Sequence, residues 1–204
     1  MTKEIYFIRH GQTDYNLNKI VQGSGIDSEL NETGRRQAKW FFDFYKDEGF
    51  DQIIISTLQR TQQTVQHFID KGVPFEKTAL INEINWGIHE GKKGDAQMRQ
   101  NYLDLIEHWS NDRLHEGIEE GETGQQLIDR CTEFLEMIKG RRESKILVCT
   151  HGRTMRCLMM LVKGEHPRAM ETIDHANTGL YKVRWDSQTF EILKENDTSH
   201  YLKS

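Results

Sequence analysis

The sequence predicts an α/β fold, a three-layer α/β/α sandwich around a mostly parallel sheet. Short apolar runs rich in β-branched and aromatic residues, at 5–8, 53–55 and 146–149, are too short for helices and read as strands buried on both faces. Between them lie segments with apolar residues at helical spacing, and alternating strands and helices give a parallel sheet covered on both sides. A third observation places the chemistry. Two of the runs lead into histidine-glycine, His10-Gly11 and His151-Gly152, and ligands in such sheets bind beyond the carboxyl ends of the strands.

Taken in order, residues 16–29 are polar and glycine-bearing and read as a loop. Ala38, Phe41, Phe42 and Tyr45 then fall at helical spacing, with Gly49 as the stop. The strand at 52–55 leads to Ser56 and Thr57, either of which can cap the next helix, so Arg60 lies in its first turn. Residues 73–82 hold a loop and a short third strand that ends at Glu83. Residues 84–121 are loop-rich, with one helix through Met98, Tyr102, Leu105 and Trp109, and form a cap-like excursion. From Glu122 a long helix carries Leu127, Cys131, Phe134, Leu135 and Ile138 on one face. An apolar helix at 155–162 follows the strand at 146–149, and 180–185 with 189–193 make a hairpin around Asp186-Ser187. Repeats and linkers are lacking, so residues 1–204 read as a single domain.

Composition narrows the function classes. Charged residues reach 29% against 36% hydrophobic, the net charge is −5, and both signs are interspersed. That excludes the basic face of a nucleic-acid or anionic-membrane binder, and no run approaches membrane-spanning length. An anionic ligand must therefore be held by a local positive site. Three cysteines without a Cys-x-x-Cys pair fit a reducing compartment. With the first strand starting directly after Met1-Thr2-Lys3, the expectation is a cytoplasmic protein. Homo-oligomerisation is left open.

If the two histidine-bearing strands are neighbours, His10 and His151 face one another. Arg9, Arg60 and Glu83 then arrive from adjacent strand ends. Two guanidiniums, two imidazoles and a carboxylate suit a phosphoryl group. Arginine forks match phosphate oxygens, helix N-terminal amides add positive charge, and cations depress an imidazole's pKa so that it stays neutral and nucleophilic. A metal hydrolase built on His10, His151, Glu83 and His89 is the rival reading. Two arginines would repel a divalent cation, and no paired-histidine ligand spacing occurs, so no metal is expected.

The order of motifs extends the argument. Arg9-His10-Gly11-Gln12-Thr13 runs on to Asn16, and Gln22-Gly23 is followed by Asp27, Leu30, Gly34, Gln37 and Ala38. Ser56, Leu58, Arg60 and Thr64 come next, then Glu83, Gly87, Glu90 and Gly91, then Gly121-Glu122-Thr123 and His151-Gly152, with Asn177 before the last strands. Over nearly the whole chain this resembles the histidine phosphatase superfamily, the phosphoglycerate-mutase-like proteins. The resemblance implies that His10 is the phosphorylated nucleophile, that Arg9, Arg60 and His151 bind the phosphoryl group, and that Glu83 donates the proton. It implies substrate contacts from Asn16, Gln22, Gly23 and Gly152, a small phosphorylated metabolite as partner, and no cofactor. Glu90 is the rival acid, or a brace for the loop.

Departures from the family pattern are a longer Gln22 loop, Glu29 where proline is common, and His89 in place of a tryptophan. The family's mutases are similar to one another in carrying a tandem arginine pair after the acid. Here residues 84–121 hold only Arg99 and Arg113, far apart, so the phosphatase branch is the closer match. A phosphoglycerate mutase is the alternative, and a non-catalytic interaction protein fits poorly because no expected core position is replaced. Cys149 and Cys157 read as core residues, and the histidines outside the motifs, such as His67, His108 and His115, as surface groups.

Overall fold

The computed structural model describes residues 2–203. Its sheet has six strands, β1 (Lys3–Arg9), β2 (Gln52–Ile55), β3 (Phe75–Lys77), β4 (Lys145–Thr150), β5 (Leu180–Trp185) and β6 (Phe190–Asp197), in the order β3-β2-β4-β1-β5-β6. β3, β2, β4 and β1 run parallel, while β5 and β6 are the antiparallel hairpin. β1 and β4 are neighbours, with Ile8 opposite Cys149 and Arg9 opposite Thr150. His10 and His151 therefore leave the sheet side by side.

Alternation along β1 builds the three layers. Ile5 and Phe7 face one side with Ile54, Ile146 and Val148, against α5 (Gly124–Gly140) and α6 (Gly152–Lys163). Tyr6 and Ile8 face the other with Ile53, Ile55, Leu147 and Cys149, against α2 (Glu32–Tyr45) and α3 (Gln59–Asp70). Both faces of the central strands are thus covered, as continuous apolar runs require. The excursion carries α4 (Ala96–Ser110), which buries Leu105 and Trp109. Trp109 Nε1 donates to the Glu116 carbonyl at 2.9 Å, and a Cβ on Gly124 would sit 2.8 Å from its ring. The cap is pinned to the start of α5 by that close approach.

Several local expectations are corrected. The polar stretch after β1 contains a one-turn helix, α1 (Asp14–Leu17), because Thr13 and Asn16 form a capping box. α2 ends at Tyr45, before Gly49, whose φ of 71° serves the turn that follows. Neither Ser56 nor Thr57 caps α3; the cap position is Leu58, and the Ser56 hydroxyl is committed to Thr61 and His151. β3 is a three-residue edge strand followed by a 3-10 turn at Ala79–Ile81, so Glu83 follows that turn and not a strand.

His200 and His175 are not surface groups. His200 is 1% exposed against Phe41 and Tyr45, and burial lowers its pKa to about 4. His10 and His151 are likewise held neutral by burial. The unfolded chain takes up protons on all three near pH 6.5, so stability rises with pH up to about that value and is lost below it. Each contributes up to about 1.4 kcal/mol per pH unit between its folded and unfolded pKa. Denaturant titrations should find the protein less stable at pH 5.5 than at pH 7, with His200→Asn narrowing the gap. Equal stability at both pH values would contradict this reading.

Candidate active site

His10 stands where β1 ends. Its backbone N–H donates to the Thr150 carbonyl of β4 at 2.9 Å, and its carbonyl accepts from Asn177 Nδ2 at 2.9 Å. The ring Nδ1–H donates to the Gly11 carbonyl at 2.7 Å, which leaves Nε2 with its lone pair free. Burial first, then the Arg60 and Arg9 charges, pushes the imidazole pKa well below its ordinary value. Gly11 is required by close approach, since a Cβ there would lie 2.6 Å from the Gly34 carbonyl oxygen at the start of α2. The N-terminal turn of α2 is thereby drawn against the His10 loop.

His151 meets His10 with ring centroids 5.1 Å apart. Arg60 Nε donates to its Nδ1 at 3.1 Å, so the proton is on Nε2, which donates to Ser56 Oγ at 2.8 Å. Both ring nitrogens are thus engaged, and His151 walls the pocket while orienting Arg60. Arg60 itself is fully buried in the first turn of α3, and burial pushes its pKa down to about 10. It also donates to the Ile26 carbonyl at 2.7 Å and to the Gly23 carbonyl at 3.3 Å. Of the five guanidinium N–H groups, three are used and two remain.

Arg9 Nη1 donates to the His175 carbonyl at 2.9 Å, and its Nε is buried without a protein partner. A charged donor left unpaired in the interior costs on the order of 1–3 kcal/mol, which an oxyanion would restore. Glu83 accepts the second and third amides of α6, from Arg153 to Oε2 at 3.2 Å and from Thr154 to Oε1 at 3.1 Å. These groups meet at Gly152, where a Cβ would stand 3.5 Å from His175 Cε1 and 3.6 Å from both Arg9 Nε and Glu83 Oε2.

The loop residues divide by role. Asn16 Oδ1 accepts from the Thr13 amide at 3.2 Å and from Asn177 at 3.4 Å, bracing the helix after His10. Gln22 Oε1 accepts from Thr13 and Ser28 hydroxyls at 2.9 and 2.8 Å, leaving its amide NH2 for a ligand. Gly23 admits no side chain, because a Cβ would lie 2.5 Å from the Ile84 carbonyl oxygen as well as 2.0 Å from Glu90 Oε1. Glu90, bonded to the Trp86 amide at 2.9 Å, is the brace of this loop. Among the described residues, no group of three or more His, Cys, Asp or Glu is placed to hold a metal ion.

Residues 5–198 match the model of the histidine phosphatase superfamily, branch 1. The chain belongs to this superfamily. It is 28% identical to the Yersinia enterocolitica protein named "Probable phosphoglycerate mutase GpmB", over 97% of this chain and 94% of that one. Among solved structures, YhfR of Bacillus stearothermophilus superposes with a TM-score of 0.85 at 28% identity, covering 97% of this chain and 98% of that one. Phosphoserine phosphatase of Entamoeba histolytica, in complex with 3-phosphoglyceric acid, gives a TM-score of 0.79 at 23% identity, covering 97% and 98%.

The structure also places residues in the site that the sequence does not reveal. His175 Nδ1 accepts from Arg9 at 3.3 Å, and burial beside Arg9 lowers its pKa to about 4. Arg153 presents its amide to Glu83, while its side chain bonds Tyr102 and Glu171. No local motif marks either one. Replacing Arg60 with lysine keeps the charge and loses the fork. The expected result is a fall in kcat/KM on the order of 10²–10³ with a stability loss of roughly 2–4 kcal/mol. Turnover and denaturant titration together check it, and wild-type values in both would refute the role.

Proposed function

We propose that this chain is a phosphomonoester hydrolase that acts on a phosphorylated small molecule through a phosphohistidine on His10. What carries the reading is a His10 ring with Nε2 left free, 5.1 Å from the His151 ring, next to the N-terminus of α6 where the unpartnered Arg9 Nε and Glu83 Oε2 converge on Gly152. The Nε2 lone pair attacks phosphorus while the ester P–O bond breaks in line, and Glu83 gives its proton to the departing alkoxide. Arg9, the remaining N–H groups of Arg60 and the Gly152 amide at the start of α6 take the equatorial oxygens, whose charge they stabilise. Water then attacks phosphorus, Glu83 takes its proton, and the P–N bond breaks to release inorganic phosphate and neutral His10.

A second reading, phosphoryl transfer back to substrate as in a mutase, draws on the relative named as a phosphoglycerate mutase. One experiment separates them. Phosphomonoesters, 3-phosphoglycerate included, are incubated with the purified protein, and inorganic phosphate and 2-phosphoglycerate are both measured. Release of phosphate without isomerisation is expected. Isomerisation faster than release would replace the hydrolase with the mutase, and neither product from any ester would reject both.

A further inference from the structure

Between the loop after α1 and the start of α4 lies a cavity of about 520 Å³ that the chemistry above does not use. Its walls include Val21, Trp86, Met98 and Tyr102. The Trp86 and Tyr102 rings meet edge to face at 5.7 Å, and the Arg153 guanidinium stacks over them at 5.8 and 5.6 Å. Arg153 is itself held by the Tyr102 hydroxyl and Glu171, so the aromatic wall is fixed before a ligand arrives. Two of its lining residues connect it to the site. Gln22 lines it and bonds Thr13 of the His10 loop, and Tyr102 lines it and bonds Arg153, whose amide holds Glu83.

The rim is predominantly positive. Lys19, Lys93 and Arg99 line it, and among the described residues none of them is in an ion pair. The one acid there, Asp95, is committed to capping α4 through the Met98 amide at 2.8 Å. In a chain of net charge −5 this is a local positive field. A three-carbon alcohol, on the order of 100 Å³, would leave most of the space to water, whereas ligand sites are ordinarily filled.

We propose, on the phosphatase reading above, that the substrate's alcohol carries a flat aromatic group of roughly nucleoside size with an acidic substituent at its far end. The aromatic body lies on Trp86, Met98 and Tyr102 while the phosphoryl group reaches His10. The acidic substituent meets Lys19, Lys93 and Arg99.

Affinity and turnover test this with matched alkyl leaving groups. Calorimetry on the full-length protein compares ethylphosphonate, 2-(2-naphthyl)ethylphosphonate and its 6-carboxy derivative, and phosphate release is measured from the corresponding phosphate esters. The naphthyl compound should bind at least about tenfold tighter than ethylphosphonate, and the carboxylate should add a further factor of about three. Met98→Glu should collapse the first ratio and Arg99→Glu the second. Affinities equal within twofold across the three would overturn the inference even if all the esters are hydrolysed. Binding preference without phosphate release would keep the inference and reject the hydrolase instead. Failure of every compound to bind or react would reject both.

Discussion

Replacing His10 with alanine is expected to lower phosphomonoester turnover by a factor on the order of 10⁴ or more, as loss of a covalent nucleophile does elsewhere. The imidazole is 2% exposed, and its Nδ1–H is spent on the Gly11 carbonyl, so Nε2 is the nucleophilic atom that remains. The Arg9 and Arg60 charges that would bind the phosphoryl oxygens are untouched by the substitution, so inorganic phosphate should still bind. Folding should persist, because the lost hydrogen bond costs about 1–3 kcal/mol against a typical total of 5–15 kcal/mol. Removal of a buried neutral imidazole should also make the acid-side loss of stability shallower. A variant that keeps more than about a tenth of wild-type kcat would remove His10 from the chemistry.

Glu83→Gln should be nearly as damaging, and selectively so. Glu83 holds the Arg153 and Thr154 amides in the first turn of α6 and presents Oε2 beside Arg9 Nε, where a leaving oxygen would need its proton. An alkyl phosphate depends on that proton, and general acid catalysis contributes about 10²–10⁴, so its kcat should fall by that factor. An aryl phosphate bearing a nitro group leaves as a stable anion and should lose less than about tenfold. Steady-state rates on the two esters with both proteins decide it. Equal losses would make Glu83 a structural cap of α6, and the acid would have to be sought elsewhere.

Much of this was legible in the chain because it depends on local pattern. Residues 5–8 and 146–149 announce buried strands, and the histidine-glycine pairs that follow them meet because β1 and β4 are neighbours. Arg60 falls in the first turn of α3 as spacing predicts. What was not legible depends on partners distant in sequence. His175 enters the site because the loop before β5 passes over Arg9, and Arg153 because α4 folds back to offer Tyr102. Ser56 reads as a helix cap until His151, 95 positions away, is seen to claim its hydroxyl. Glu83 was located by motif, but its setting at the N-terminus of α6 required tertiary structure. A three-residue edge strand carries too little periodicity to fix where it stops.

The central claim is a phosphoryl group carried covalently on His10, and rapid-quench labelling tests it most directly. The protein is mixed for milliseconds with a phosphomonoester labelled in its phosphoryl group and then denatured. Wild type should yield a protein-bound label that is lost in acid and kept in alkali, mapping to the peptide that contains His10, and His10→Ala should yield none. A wild-type protein that turns over without such a label, or a label that persists in His10→Ala, would contradict the account.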